Sequence, residues 1–356
     1  MNDYGHRREF LRKLLPATLG LVAAPEMIPA WSASPTTHKV PVPAGNLAHE
    51  KKLVPVMLTP YQADGRIHFD QVSRLIDFYL QAGAKGFFAN CLSSEMYFMD
   101  DPERIALTRH VVKYVNGQVP VVSTGSFGTS LREKVAFAKK IQDTGADATI
   151  LITSHFAQKS ESDAILMENF ERFFEQVGTM KLGTYECPSP YKRVLSPEVF
   201  KFLVSNPHFV YHKDTSEDLN SITAKLGVSA GTRMELYNAH TATALESLRR
   251  GAKGTSPIAA NFYPEMHRWL CEQAANPAKA EEAAWLQAEM ARMEPIISKM
   301  YPVSAKYFLQ KRGLPIQTTC RSNTKQLLPE QRHVLDDAYQ TFLGWCERLG
   351  VTPARG

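Results

Sequence analysis

The sequence predicts an α/β chain folded as a (β/α)8 TIM barrel with additional C-terminal helices, and three observations carry that expectation. Strand-like apolar runs at 53–59, 86–91, 120–125, 148–154, 182–187, 209–214, 233–239 and 252–260 alternate with helical patterns, which implies a parallel sheet of eight units. The segments Ala82-Gly83-Ala84, Thr144-Gly145-Ala146 and Arg250-Gly251-Ala252 each close a helix just before a strand, where glycine suits the left-handed turn. No G-x-G-x-x-G follows the first strand, which weakens the competing doubly wound sheet and its nucleotide site.

In chain order, residues 1–33 read as a twin-arginine-like signal peptide. Arg7-Arg8 with Phe10-Leu11 precedes an apolar run from 14 to 24 that is too short to span a bilayer comfortably. Export to the periplasm is therefore expected, with no membrane span in the mature form and an uncleaved tether as the alternative. Residues 34–50, rich in Pro, Thr and Ala, read as a linker. The barrel is expected over 51–264. Val72, Leu75, Ile76, Tyr79 and Leu80 share one helical face, with Gly83 ending the helix. Asp101-Pro102 and Ser196-Pro197 supply an N-cap followed by proline, and Ser130 with Glu133 has capping-box spacing. Strand signals stop after Asn261. Residues 265–356 read as a helical extension broken near Pro277, Pro302 and Pro315, with Trp285, Met290, Met293, Ile296 and Ile297 as packing residues.

The composition excludes several classes. The chain has 356 residues and a formal net charge of +5, with acidic and basic residues interspersed, so no basic stripe invites nucleic acid. Its 5 cysteines match neither a disulfide framework nor a zinc-ligand spacing, so metal chemistry gets little support.

Chemistry concentrates on the stretch Phe209–Asp214. A lysine at the carboxyl end of a buried strand is costly unless it is paired or gives up its proton, and a neutral amine can attack a carbonyl to form a Schiff base. The alternative is a strand-end lysine whose head reaches water. Alternation puts Phe209, Tyr211 and Lys213 on one face, and Gly183, Tyr185 and Cys187 on one face of their own strand. If both faces point inward, a phenol stands beside the amine and Glu186 points away. That counts against a two-carboxylate glycosidase on Glu95 and Glu186.

Four segments in order carry a family resemblance: Cys91-Leu92-Ser93-Ser94-Glu95, Tyr185-Glu186-Cys187-Pro188, Tyr211-His212-Lys213-Asp214-Thr215-Ser216, and Gly251-Ala252-Lys253-Gly254 with Ala260-Asn261. The chain resembles the dihydrodipicolinate synthase and N-acetylneuraminate lyase family of class I Schiff-base aldolases, from about Val54 to Asn261, with a weaker echo over Tyr301 to Leu314. The resemblance implies Lys213 as Schiff-base lysine, Tyr185 as proton-transfer residue, and Ser93 with the amides around Ser93 and Ser94 as the carboxylate site. It also implies a homotetramer, with a homodimer as the alternative, and no metal or organic cofactor. The departures are specific. Cys91 and Ser94 replace both loop glycines, Leu92 and Phe156 replace relay hydroxyls, and Pro190 stands where the synthases carry an arginine. His155 and His240 are candidates for a rebuilt proton or substrate site, against the alternative of solvated loop histidines. Ser256, late in the chain's last strand run, is a further substrate-binding candidate.

The reading is thus a lyase or aldolase acting on a 2-oxo acid of the pyruvate type, making or cleaving a carbon–carbon bond, and not through dihydrodipicolinate synthesis itself. The alternative is a catalytically weakened barrel that binds a 2-oxo acid or sugar acid.

Overall fold

The computed structural model describes residues 50–356, so the expected signal peptide and linker, apart from Glu50, lie outside the described residues. The strands are β1 (Lys52–Leu53), β2 (Phe87–Phe88), β3 (Val121–Thr124), β4 (Ala148–Ile152), β5 (Leu182–Tyr185), β6 (Phe209–Asp214), β7 (Glu235–Asn238) and β8 (Gly254–Thr255). They form one eight-stranded sheet in the order β1-β8-β7-β6-β5-β4-β3-β2. Every pairing is parallel, and a further parallel bridge from Val56 to Phe88 joins the two ends of that order, which closes the barrel.

The intervening helices are α1 (Phe69–Gln81), α2 (Asp101–Val115), α3 (Leu131–Gln142), α4 (Asp163–Val177), α5 (Pro197–Val204), α6 (Leu219–Ser229) and α7 (Ala244–Arg249). After β8 come α8 (Pro264–Gln273), which packs on β1 and β8, then α9 (Ala280–Ile297), α10 (Val303–Lys311) and α11 (Pro329–Leu349). The expected boundary chemistry is visible. Ser130 accepts from the Glu133 amide (3.2 Å) while Glu133 accepts from the Ser130 amide (3.0 Å). Ser196 caps α5 through the Val199 amide. At α2 the cap is Asp100, one residue earlier than the sequence suggests, because Asp100 accepts from the Glu103 amide and leaves Asp101 inside the first turn. Gly83, Gly145 and Gly251 all take positive φ, the conformation their repeat anticipates.

One irregularity decides what the barrel interior holds. Between β5 and β6 the register runs Leu182 to Phe209 and then Gly183 to Tyr211, so Val210 is an extra residue. The shared face expected for Phe209, Tyr211 and Lys213 is therefore broken. Phe209 packs outward against Phe174 of α4, whereas Tyr211 turns inward onto Phe88 and Tyr237. Gly183 is required opposite the bulge, since a Cβ there would stand 2.6 Å from the Tyr211 carbonyl oxygen. Beyond the bulge the alternation is regular, with Tyr185 paired to Lys213 across the ladder.

The C-terminal region is tied to the barrel by buried ion pairs. Arg312 bonds Glu265 and the Phe262 carbonyl, and Lys306 reaches Glu95 at 3.2 Å. Both Glu95 and Lys306 are almost wholly buried, so this pair fixes the loop after β2 to α10. Among the described residues no helix is long and apolar enough to cross a membrane.

Candidate active site

The carboxyl ends of β2, β5, β6 and β7, with the start of α10, surround a cavity of about 560 Å³. Lys213 and Tyr185 line it together, with Leu92, Ser93 and Tyr97 on one side and Thr215, Glu217 and His240 on the other. The Lys213 ammonium lies 4.5 Å from the centre of the Tyr185 ring and 5.7 Å from that of Phe88. Only 4% of the lysine is exposed, and no described acceptor hydrogen-bonds it. Burial pushes its pKa down from 10.5 to about 8, partly opposed by Cys91 and Cys187. Desolvation thus makes the neutral amine more accessible near neutral pH. Burial also raises the Tyr185 phenol well above its ordinary value, so it stays protonated and able to donate. All five cysteines are free and buried.

The carboxylate loop follows β2 as a 3-10 turn, Leu92–Ser94. Glu95 then takes φ 63, the left-handed conformation, and its carboxylate accepts from the Arg321 and Ser322 amides (each 2.6 Å). Ser93 faces the cavity and approaches the hydroxyl of Tyr301, which in turn accepts from the Asn261 amide at 2.8 Å. Asn261 also bonds Tyr79 and the Val56 carbonyl, so the Tyr301 phenol is held by a chain that begins in the barrel. Ser94 does not present its hydroxyl to the cavity. That hydroxyl contacts the Met57 and Ala89 carbonyls (2.7 and 2.9 Å) and the Cys91 amide (3.1 Å). The side chain that replaces a loop glycine is thus folded back to brace the loop, so Ser94 does not line the cavity, contrary to its assignment as a substrate-contacting residue.

The other sequence candidates separate. Leu92 and His240 line the cavity. Phe156 does not: it stacks on Phe170 (4.6 Å) and packs edge-on against Phe173 (5.3 Å), in the layer between the barrel and α4. Ser256 is fully buried beside Tyr211, with its amide bonded to the Asn238 carbonyl, and is not among the lining residues. His155 sits behind the wall. Its Nδ1 is 2.8 Å from the Ser126 carbonyl and its Nε2 is 3.0 Å from the Tyr97 hydroxyl. Burial lowers its pKa to about 4, so the ring is neutral at pH 7. A carbonyl only accepts, so the Ser126 carbonyl calls for a hydrogen on Nδ1, while the Tyr97 hydroxyl has a single hydrogen for which Nε2 and the Ser189 carbonyl compete. His155 therefore reaches the cavity only through Tyr97, whose hydroxyl also lies 2.7 Å from the Ser189 carbonyl.

Sequence reasoning missed Tyr97, Tyr301, Lys192 and Glu294 as lining residues. Tyr301 falls at the start of the late segment that carries the weaker resemblance, which is the one signal that could have found it. The others lie on turns and an added helix with no pattern of their own.

Behind Lys213, on the outward face, Glu186 and Asp214 are fully buried and share the ammonium of Lys225 from α6, at 2.5 and 2.6 Å. His212 Nε2 lies 3.6 and 3.7 Å from the same carboxylates, and its Nδ1 meets Thr184 at 2.9 Å. Glu186, His212 and Asp214 have the spacing of a metal-ligand group, but the Lys225 ammonium already contacts both carboxylates. Glu186 also accepts from the Leu195 and Thr215 amides, and Asp214 from the Ser216 amide. This network knits the ends of β5 and β6, the two strands that carry Tyr185 and Lys213.

The model of the dihydrodipicolinate synthetase family matches residues 49–341. Among similar curated proteins, the 4-hydroxy-tetrahydrodipicolinate synthase of Marinobacter nauticus is 27% identical over 261 residues, covering 73% of this chain and 84% of the relative. The Bacillus subtilis enzyme of the same name is 27% identical over 262 residues, covering 73% and 88%. Among solved structures, a dihydrodipicolinate synthase from Acinetobacter baumannii complexed with pyruvate aligns with a TM-score of 0.72 at 24% identity, over 82% of this chain and 98% of that one. An E. coli prophage protein of the dihydrodipicolinic acid synthase family, also in complex with pyruvate, aligns at 0.73 and 21% identity, over 82% and 98%. These structural likenesses bear on the fold.

Proposed function

Since the chain belongs to the dihydrodipicolinate synthetase family and is an enzyme of its lyase and aldolase class, we propose that it forms a Schiff base between Lys213 and a 2-oxo acid of the pyruvate type. The observation that carries this reading is a buried lysine with a depressed pKa, stacked beside a protonated phenol in a cavity of substrate size. The neutral amine attacks the ketone carbon, and loss of water leaves an iminium. That iminium accepts the electron pair released when the C3 proton leaves, giving an enamine. The enamine carbon then bonds to an aldehyde carbon, whose oxygen takes up a proton. Hydrolysis releases the product and restores Lys213; cleavage runs the same steps in reverse. Tyr185 moves the protons, and Ser93 with the neighbouring amides holds the oxo-acid carboxylate.

The reading excludes efficient dihydrodipicolinate synthesis, although the similar curated proteins bear synthase names. Three observations support that. Leu92 offers no hydroxyl at the cavity wall, Phe156 is turned into the outer packing, and Pro190 supplies no cation. A positioned proton-transfer group contributes about two to four powers of ten, so its loss should be plain in turnover. Borohydride with pyruvate should add a reduced three-carbon adduct to the peptide containing Lys213, and Lys213→Ala should abolish it. Turnover of pyruvate with aspartate semialdehyde should be negligible. An adduct on another lysine, or none with any oxo acid, would sink the Schiff-base reading; brisk condensation would sink only the exclusion of that synthesis.

A further inference from the structure

A three-carbon oxo acid on Lys213 fills only part of a cavity of about 560 Å³, which is in the range that takes a far larger ligand (roughly 300–1,000 Å³). α9 contributes Glu294 to the lining of the same cavity. The cavity's outer wall is built by Lys192, Glu217, His240 and Glu294, none of which the Schiff-base step uses. Lys192 is already committed, because its ammonium lies 2.6 Å from the Glu217 carboxylate. Glu217 holds that place at φ 64, a left-handed conformation costly for a residue with a side chain. His240 feels both of those charges; its ring is bonded to Thr243 and its pKa is lowered by burial.

Glu294 is the carboxylate of this wall that no described cation pairs. It projects from α9, one residue before Pro295 inside that helix, accepts hydrogen bonds from the Thr241 hydroxyl and amide, and feels the Glu217 charge. Burial, and secondarily the Glu217 charge, raises its pKa to about 7. The outer wall therefore holds two carboxylates against one lysine, and that lysine is taken. Lys213 supplies the independent sign that a ligand belongs here, being nine-tenths buried, without a hydrogen-bond acceptor, and aimed into the same cavity.

We propose that Glu294 sets the specificity of the aldehyde half, accepting a hydrogen bond from an ammonium or hydroxyl at its far end and rejecting a carboxylate. The inference rests on the Schiff-base reading and goes beyond it by assigning the sign of charge that the second substrate carries. An ammonium at this place relieves both the burial cost of Glu294 and its repulsion from Glu217. A carboxylate would add a third negative charge to a partly desolvated wall.

The test compares three short aldehydes in condensation with pyruvate at pH 8: 3-aminopropanal, glyceraldehyde and succinic semialdehyde. Wild-type kcat/KM is expected to fall in that order, with about tenfold or more between the first and the last, as suits one charge-assisted hydrogen bond. Glu294→Gln should level the first two, and Glu294→Lys should move succinic semialdehyde to the front. Borohydride trapping of pyruvate on Lys213 runs beside each protein. If the wild type forms no adduct, the Schiff-base reading and this inference fall together. With the adduct intact, a wild-type preference for succinic semialdehyde overturns the role of Glu294 alone. So does a ranking unchanged by both substitutions, or turnover of none of the three aldehydes.

Discussion

Replacing Lys225 with methionine tests whether the network behind Lys213 is an ion cluster or ordinary packing. Methionine has nearly the reach of lysine and would leave Glu186 and Asp214 fully buried without the cation that contacts both. Removing one partner from a buried pair costs about 3–5 kcal/mol, because the remaining charge stays desolvated. At about 2 °C per kcal/mol for a chain of this size, the melting temperature should fall by ~6–10 °C at pH 7. The pH dependence makes the result specific. In the native fold Asp214 is held well below its ordinary 3.8: burial opposes this, but His212 and Lys225 outweigh it. A carboxylate with a depressed folded pKa adds stability above its unfolded pKa and loses it as pH falls through the folded value. The Lys225 variant forfeits that contribution, so its deficit should be greatest near neutrality and shrink as pH falls below about 4, where protonation relieves the unpaired carboxylates. Thermal melts followed by circular dichroism at pH 7, 5 and 3 would measure it. A fall under about 2 °C at pH 7, or a deficit that does not change with pH, would refute the ion-cluster account.

The rate of pyruvate trapping should follow the neutral fraction of Lys213. A pKa of about 8 leaves roughly a tenth of the amine neutral at pH 7, against about 0.03% at 10.5; the rate should rise about tenfold to a plateau above pH 9, and a midpoint near 10.5 would show that burial does not tune the lysine. Gly183→Ala should destabilise the barrel by about 1–3 kcal/mol, since the new methyl meets the Tyr211 carbonyl and Ile150 at 2.6 and 2.7 Å. Its urea midpoint should drop with no change in slope, and an unchanged midpoint would mean that β6 shifts to make room.

Most of the barrel was legible because its signals are local. Alternating apolar runs, capping residues and the glycine before a strand each act within a few residues, and Ser130, Ser196, Gly83 and Gly251 behave as their neighbours dictate. The bulge at Val210 was not legible. It arises where β6 must pass a glycine on β5, a contact between residues far apart in sequence, and simple alternation therefore misplaced Phe209 while keeping Tyr211 and Lys213 inward.

The site divides along the same line. Lys213 could be found because a lysine at the end of a buried strand is chemically odd, and Tyr185 because alternation and its motif set it beside that lysine. Ser94 and Phe156 were misplaced for a shared reason: each was assigned to the cavity by its position in a motif, and motif position fixes the backbone but not where the side chain turns. Ser94 found backbone carbonyls and an amide within reach in its own loop, so its hydroxyl closed on them instead of the cavity. Phe156 has no hydroxyl to keep it at a polar wall, so the aromatic layer over α4 is its favourable place. The residues that line the cavity in their stead, Tyr97 and Tyr301, sit on a short turn and at the entrance to α10. What brings Tyr301 to Ser93 is the Asn261 bridge and the Glu95–Lys306 pair, contacts spanning 40 and 211 residues. Long-range polar ties of this kind leave no periodicity in a sequence.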